Sequence, residues 1–273
     1  MTMKIITWYY PDNPAEAAGL SESDKVFLHS GGTGLLMSDL KGVKGLVDLN
    51  RLPLKDITSE KSLITFGSLC TYADVLSYLK KLNPDHLLVH SLHHSASTPL
   101  RNRITLGGTL AMAPPWSDLT GPLMALDARL TLEGKSGGEY SVEDYLTQKK
   151  LRSGTVITSV KIPLDCGLCA HYREVRTQRD MPLFNLTIVL KTNQGTIRDA
   201  RLIAVGTRTK FTRLKEMEAW LKGQSLKTVN IPEIEKRCRL SFGKKAGTDP
   251  EYLFVKASIE LGRMVARLAG GKS

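Results

Sequence analysis

Arg103-Ile104-Thr105-Leu106-Gly107-Gly108-Thr109-Leu110-Ala111-Met112-Ala113-Pro114-Pro115-Trp116-Ser117-Asp118 is the stretch on which the reading of this chain turns. An apolar approach meets a Gly-Gly pair flanked by two threonines, passes a double proline, and regains a helical pattern only near Asp118. The stretch reads as a loop built for close approach of backbone to a ligand. Glycine permits positive φ and leaves N–H groups bare, and the threonine hydroxyls add short donors. A second stretch of the same character, His29-Ser30-Gly31-Gly32-Thr33-Gly34, comes much earlier. Two such loops in one chain predict two halves of a phosphate cradle.

Working outward, 273 residues can bury a large core and favour two subdomains over one. No run approaches the ~18 consecutive apolar residues of a membrane span. Met1 to Pro14 carries polar residues and prolines where a signal peptide needs an apolar core, so a cytoplasmic protein without membrane contact is expected. Cys70, Cys166, Cys169 and Cys238 are too few for a disulfide scaffold, and Cys166-Gly167-Leu168-Cys169 reads as reduced thiols beside a linker. Charge is unevenly divided. Residues 1–165 hold 17 Lys+Arg against 17 Asp+Glu, and residues 166–273 hold 21 against 10, which is the whole net charge of +11. The asymmetry marks a boundary near Asp165. A basic second half suits an anionic cofactor, an acidic protein surface or nucleic acid, or is simply a solvated face.

Along the chain, Asn13-Pro14 starts a short helix, and Val26 to Leu28 is a strand feeding Ser30 to Gly34. Leu35 to Leu40 then begins a helix, an arrangement that offers N–H groups to an anion. Val47–Leu49 and Ile64–Gly67 read as strands, and Thr71 with Asp74 caps the next helix. His86, His90 and His93 or His94 lie near one face of a helix over 85–94. The interleaved Leu87, Leu88, Val89 and Leu92 make it a core helix rather than a metal site, and no H-E-x-x-H is present. Helix over 118–126, strand over 128–132, a turn over 134–138, a helix capped by Ser141 and a strand over 156–162 complete a mixed α/β first half. In the second half, strands over 171–176, 186–191 and 196–205 precede a helix over 211–221 and a long helix from Asp249-Pro250 to Gly270-Gly271, an α+β pattern. The regular alternation of a doubly wound nucleotide fold and G-x-G-x-x-G are both absent.

In this order and spacing the motifs resemble the FAD-binding, or medium, subunit of the molybdenum hydroxylases, the xanthine dehydrogenase and carbon monoxide dehydrogenase family. Ser30-Gly31-Gly32-Thr33-Gly34-Leu35-Leu36 is similar to the family's first FAD loop, and Gly67 to Asp74 to the strand-to-helix motif after it. Leu100 to Ala111 followed by Pro115, Ser117 and Asp118 is similar to the second loop, with Leu126-Asp127-Ala128 following. Tyr172-Arg173 through Arg179-Asp180, and Ala200 to Gly206, resemble the family's C-terminal domain.

The resemblance implies an α+β (mixed α/β) fold: a two-subdomain FAD-binding domain of the molybdopterin dehydrogenase type over 1–165 (subdomains about 1–55 and 56–165). A C-terminal α+β domain of the carbon monoxide dehydrogenase flavoprotein type over 166–273 follows, with a small antiparallel sheet and helices. It implies that Ser30, Gly31, Gly32, Thr33 and Gly34, with Thr105, Gly107, Gly108 and Thr109, bind the FAD diphosphate, and that Leu35 and Leu100 also belong to the cofactor-binding set. It further implies that Asp118 meets the ribityl or ribose hydroxyls and that Ile157 and Arg173 lie near the isoalloxazine or adenine ends. Gly34 and Thr109 stand where the family usually has Asp and Asn. The implied function is an FAD-dependent oxidoreductase subunit of a multi-subunit molybdenum enzyme. Its partners would be a molybdenum-binding large subunit holding molybdopterin and a small subunit holding [2Fe–2S] clusters, with NAD or another acceptor taking the electrons. The flavin carries the chemistry, so no triad, general base or metal is expected in this chain. No cysteine cluster over 100–160 supports an inserted iron–sulfur cluster. A flavin-free interaction subunit of the same fold, and more remotely a basic nucleic-acid-binding protein, are the rival readings.

Overall fold

The structure is a computed structural model describing residues 6–38, 41–178, 180–244 and 247–270. Leu40, Arg179 and Gly271, expected in a helix start, a family motif and a helix stop, lie outside the described residues. The chain divides into two compact units: 1–78, 97–113 and 127–163 form the first, and 79–96, 114–126 and 164–273 the second.

In chain order, β1 (Thr7–Tyr9), α1 (Pro14–Leu20), β2 (Val26–His29), β3 (Gly45–Asp48), β4 (Ile57–Glu60) and β5 (Leu63–Gly67) lead into α2 (Tyr72–Leu82), which carries the chain out of the first unit. α3 (Leu87–His93) belongs to the second unit, α4 (Thr98–Arg101) and α5 (Leu106–Met112) to the first, and α6 (Thr120–Ala125) to the second. β6 (Arg129–Gly134), β7 (Gly138–Ser141), α7 (Val142–Thr147) and β8 (Thr155–Pro163) complete the first unit. β9 (Leu168–Glu174), β10 (Phe184–Asn193), β11 (Thr196–Thr207), β12 (Lys210–Arg213), α8 (Lys215–Leu221), α9 (Ile231–Arg237) and α10 (Pro250–Leu268) follow in the second. Among the described residues no helix is long and apolar enough to cross a membrane.

The first unit holds a three-stranded parallel sheet, β1-β3-β2, and a five-stranded antiparallel sheet, β4-β5-β8-β6-β7. Alternation builds the latter: Ile64 and Phe66 of β5 and Val160 and Ile162 of β8 are buried while Leu63, Thr65, Ser159, Lys161 and Pro163 are not. Ala17 and Ala18 of α1 join Val47, Leu49, Leu69 and Val156 in one core. Caps define the helices. Asn13 accepts the Glu16 N–H at 2.9 Å, and Thr71 and Asp74 exchange backbone N–H bonds of 2.8 and 3.2 Å in a capping box.

The second unit is a four-stranded antiparallel sheet, β12-β11-β10-β9, with helices on both faces. Phe184, Leu186, Ile188 and Leu190 of β10 pack with α8, α9 and α10, while α6 lies against β10 and β11 and α3 against β9. Gly121 allows the approach of α6, since a Cβ there would stand 3.0 Å from Thr187 Oγ1 and 3.2 Å from Val205 Cγ2. β10 and β11 are joined through Gln194 and Gly195, both left-handed as a tight hairpin turn requires.

Three sequence expectations change. The Gly107-Gly108 stretch is the first turn of a helix, α5, and not a loop, because Leu106 and Leu110 repeat at helical spacing on a buried face and Thr105 caps them. The helix expected over 211–221 begins only at Lys215. Phe211 to Arg213 instead pair with Val205 to Ile203 in β11, and Thr207, Thr209 and Thr212 link their hydroxyls across the bend. The helix expected from Leu35 is a single 3₁₀ turn, Leu35–Met37, closed by the extended Ser38.

Candidate cofactor-binding site

β2 delivers the chain into Ser30 to Gly34, and two distant side chains fix the first peptide units of that loop. Asn50 Nδ2 donates to Ser30 O at 3.2 Å, and the Arg103 guanidinium donates through Nε and Nη2 to Gly31 O at 3.2 and 3.0 Å. In a trans peptide the N–H points opposite to its C=O, so holding these two carbonyls aims the N–H groups of Gly31 and Gly32 away from Asn50 and Arg103. Gly31, Gly32, Thr33 and Gly34 together donate no backbone hydrogen bond to any described residue. Four consecutive N–H groups on half-buried residues, bonded to no described residue, are the kind of row that suits an anion. Gly32 supplies the left-handed residue at φ +76° that curls the row. At Gly31 a Cβ would overlap Arg103 O, and at Gly34 it would overlap Met112 Sδ. Asp48 holds Asn50 in turn, accepting its N–H at 3.0 Å and its Nδ2 at 2.6 Å. Burial disfavours the Asp48 charge, but the Asn50 donors and the His29 ring 3.6 Å away outweigh it and lower its pKa.

The second stretch is joined to the first through Ser30 Oγ and Thr105 Oγ1, 3.0 Å apart. Thr105 caps α5 by accepting the Gly108 N–H at 3.1 Å. A Cβ on Gly108 would stand 2.7 Å from Thr105 Oγ1 and 3.1 Å from Ser30 Oγ, so only glycine leaves these two hydroxyls room. The N–H groups of Leu106 and Gly107 are taken by Cys70 O and Ser68 O at 3.0 and 2.8 Å. Thr109 Oγ1 donates to Thr105 O at 2.9 Å and accepts from the Tyr72 hydroxyl at 3.2 Å. The second stretch thus supports the first, and its own first-turn donors are engaged inside the protein. Asn50 and Arg103 escaped the sequence reading as site residues. Arg103 sits inside the quoted motif, but its bond to a carbonyl in a distant loop leaves no pattern.

Of the other residues implied, Leu100 is exposed on α4 and Ile157 is buried in β8. Asp118 and Arg173 come together within the second unit, where Arg173 Nε donates to Asp118 Oδ1 at 2.8 Å. Both side chains are largely buried, at 3% and 10% exposure. Arg173 also donates to His94 O and Asp180 O, and His171 Nε2 lies 3.7 Å from the same Oδ1. The histidines do not gather. His86 is buried and caps α3 by accepting the Leu88 N–H at 3.1 Å, while His90, His93 and His94 are exposed. No group of three or more His, Cys, Asp or Glu among the described residues is placed to hold a metal ion.

Residues 3–165 match the family model described as the FAD binding domain in molybdopterin dehydrogenase. The chain belongs to this FAD-binding family. The medium chain of glyceraldehyde dehydrogenase from Sulfolobus acidocaldarius is 26% identical over 197 residues, 69% of each chain. The medium subunit of nicotine 6-hydroxylase from Paenarthrobacter nicotinovorans is 25% identical over 237 residues, 83% of each. Among solved structures, quinoline 2-oxidoreductase from Pseudomonas putida 86 superposes with a TM-score of 0.85 over 99% of both chains at 20% identity, a likeness of fold. For this member of the FAD-binding family the glycine row is the feature that fits the cofactor. Its four N–H groups, bonded to no described residue, suit a diphosphate, and Gly31, Gly32 and Gly34 put no Cβ in the way.

Proposed function

We propose that the chain is the FAD-carrying medium subunit of a molybdenum hydroxylase, working beside a molybdopterin-binding large subunit and a [2Fe–2S] small subunit. NAD or another acceptor would take the electrons. The domain organisation that goes with it is an FAD-binding part over 1–165 and a C-terminal part over 166–273. When bound, FAD supplies reversible two-electron chemistry and can exchange electrons singly with iron–sulfur clusters. The chain's own residues bind and orient it. The observation that carries the reading is the row of N–H groups from Gly31 to Gly34, which donate to no described residue. In this reading Ser30, Thr33 and the flanking Leu35 and Leu100 line the diphosphate. Thr105, Gly107, Gly108 and Thr109 hold the row in place, and Asp118 meets the ribityl or ribose hydroxyls. Ile157 and Arg173 bound the ring ends.

The reading is tested by adding FAD to purified chain and following flavin fluorescence and retained absorbance after desalting. Stoichiometric uptake is expected. A folded chain that stays colourless in excess FAD overturns it in favour of the flavin-free interaction subunit, for which the internally engaged Thr109 hydroxyl is the motive. Arg103→Ala should weaken FAD about tenfold, the loss of roughly 1.4 kcal/mol from freeing the Gly31 carbonyl.

A further inference from the structure

Cys166-Gly167-Leu168-Cys169 lies between β8 and the start of β9, wholly within the second unit, and the proposed flavin site does not use it. Gly167 takes φ +66° and donates its N–H to Asp165 Oδ1 at 2.8 Å, a tight turn that curls the two cysteines toward each other. Cys166 Sγ accepts the Leu87 N–H at 3.5 Å at the start of α3, and the His86 imidazole is hydrogen-bonded to the same sulfur. Cys169 Sγ faces Asp85 O at 3.9 Å and is hydrogen-bonded to Cys166. Cys166 is buried at 4% exposure, and Cys169 is half-buried.

We propose that Cys166 and Cys169 are a redox-active dithiol, oxidised to an intrachain disulfide by small disulfides of the glutathione class. The surroundings divide the labour between the sulfurs. The hydrogen bond to Cys169, with the His86 and Leu87 donors, outweighs burial and pulls the Cys166 pKa below the ordinary thiol range. Cys169 is pushed far above the ordinary thiol range, first by Cys166, then by burial and by the Asp85 and Asp165 charges. The pair therefore holds one proton between two sulfurs at neutral pH, the state from which thiol–disulfide exchange starts. Cys70 and Cys238 are different. Burial first, and for Cys70 the Asp74 charge, raise their pKa, which marks them as inert thiols.

The exchange balances as follows. The Cys166 thiolate attacks one sulfur of the small disulfide. A mixed disulfide forms on Cys166, and one small thiolate leaves. Cys169 then loses its proton to solvent and attacks the Cys166 sulfur, forming the intrachain bond and expelling what remains as the second small thiolate. Two protein thiols have lost two electrons and two protons, and one small disulfide has become two thiols. Closure removes the thiolate that accepts the Leu87 N–H, so the fastening of α3 to the start of β9 changes with redox state.

The test equilibrates the full chain in glutathione buffers of rising oxidised share, then acid-quenches, alkylates, digests and weighs the peptide spanning 166–169. A reversible loss of two hydrogens is expected, its extent tracking oxidised over squared reduced glutathione, while Cys70 and Cys238 stay reduced. Cys169→Ser should arrest at a glutathione adduct on Cys166. Wild-type thiolate absorbance should persist below the ordinary thiol range and be lost in Cys166→Ser. A peptide that stays dithiol in the most oxidising buffer, or closes only after denaturation, overturns the proposal. The wild-type titration decides this even if the variant does not fold.

Discussion

At the scale of single residues, Gly31 bears the sharpest consequence. Its missing Cβ is the space occupied by the Arg103 carbonyl, so Gly31→Ala must displace either the loop or residue 103. FAD affinity measured by fluorescence quenching should fall at least about a hundredfold, roughly 2.7 kcal/mol, with circular dichroism unchanged. Asp118 makes a different prediction. Asp118→Asn leaves the buried Arg173 guanidinium without its counter-charge, although His94 O and Asp180 O still accept from it. A stability loss of about 3 kcal/mol in urea unfolding follows, at the low end for a broken buried pair. These two residues differ in how they could be read. Gly31 was legible because a Gly-Gly turn after a strand has a local signature. The pairing of Asp118 with Arg173 was not, because it joins residues far apart in sequence through a fold that no local pattern encodes.

At the scale of elements, legibility followed the same rule. The capping boxes at Thr71 and Ser141 and the Asp249-Pro250 start of α10 are local chemistry and stood plainly in the sequence. The first turn of α5 was hidden because its two glycines mimic a loop, and the cap at Thr105 reveals itself only once the burial of Leu106 and Leu110 is known. β12 was hidden because Phe211 and Leu214 also fit a helical period, and pairing with β11 overrides it. α10 offers a pH test. Glu260 is buried there with Lys256 Nζ at 3.0 Å and Arg263 Nη1 at 2.7 Å. Burial opposes its charge, but the two cations outweigh it and its pKa is lowered. A carboxylate depressed on folding stabilises the protein fully above its unfolded value near 4.3, and that contribution is lost as pH falls through the lower folded value. Glu260→Gln should cost about 1–2 kcal/mol. The gap from wild type should stay constant between roughly pH 6 and 8 and close below about pH 4. A gap that persists in acid would assign the effect to packing.

At the scale of the whole molecule, the net charge and the proposed cofactor cradle fall in different parts of the chain. The net charge of +11 belongs to residues 166–273, whereas the glycine row and its supports, Asn50 and Arg103, lie in the balanced residues 1–165. Neutral N–H groups grip an anion through short hydrogen bonds, which salt screens weakly, while a field of dispersed surface cations is screened within a Debye length. FAD at a hundred times its dissociation constant should add about 2.7 kcal/mol to the folded state and raise its melting temperature. That shift should survive from 50 to 500 mM salt with affinity changing by no more than about threefold. Gly31→Ala should abolish the shift at either salt. Association with an acidic partner surface through the basic C-terminal half should behave oppositely, its on-rate falling steeply over the same range. Should FAD affinity itself collapse with salt, the dispersed cations rather than the backbone row would be holding the diphosphate, and the assignment of Gly31 to Gly34 would fail.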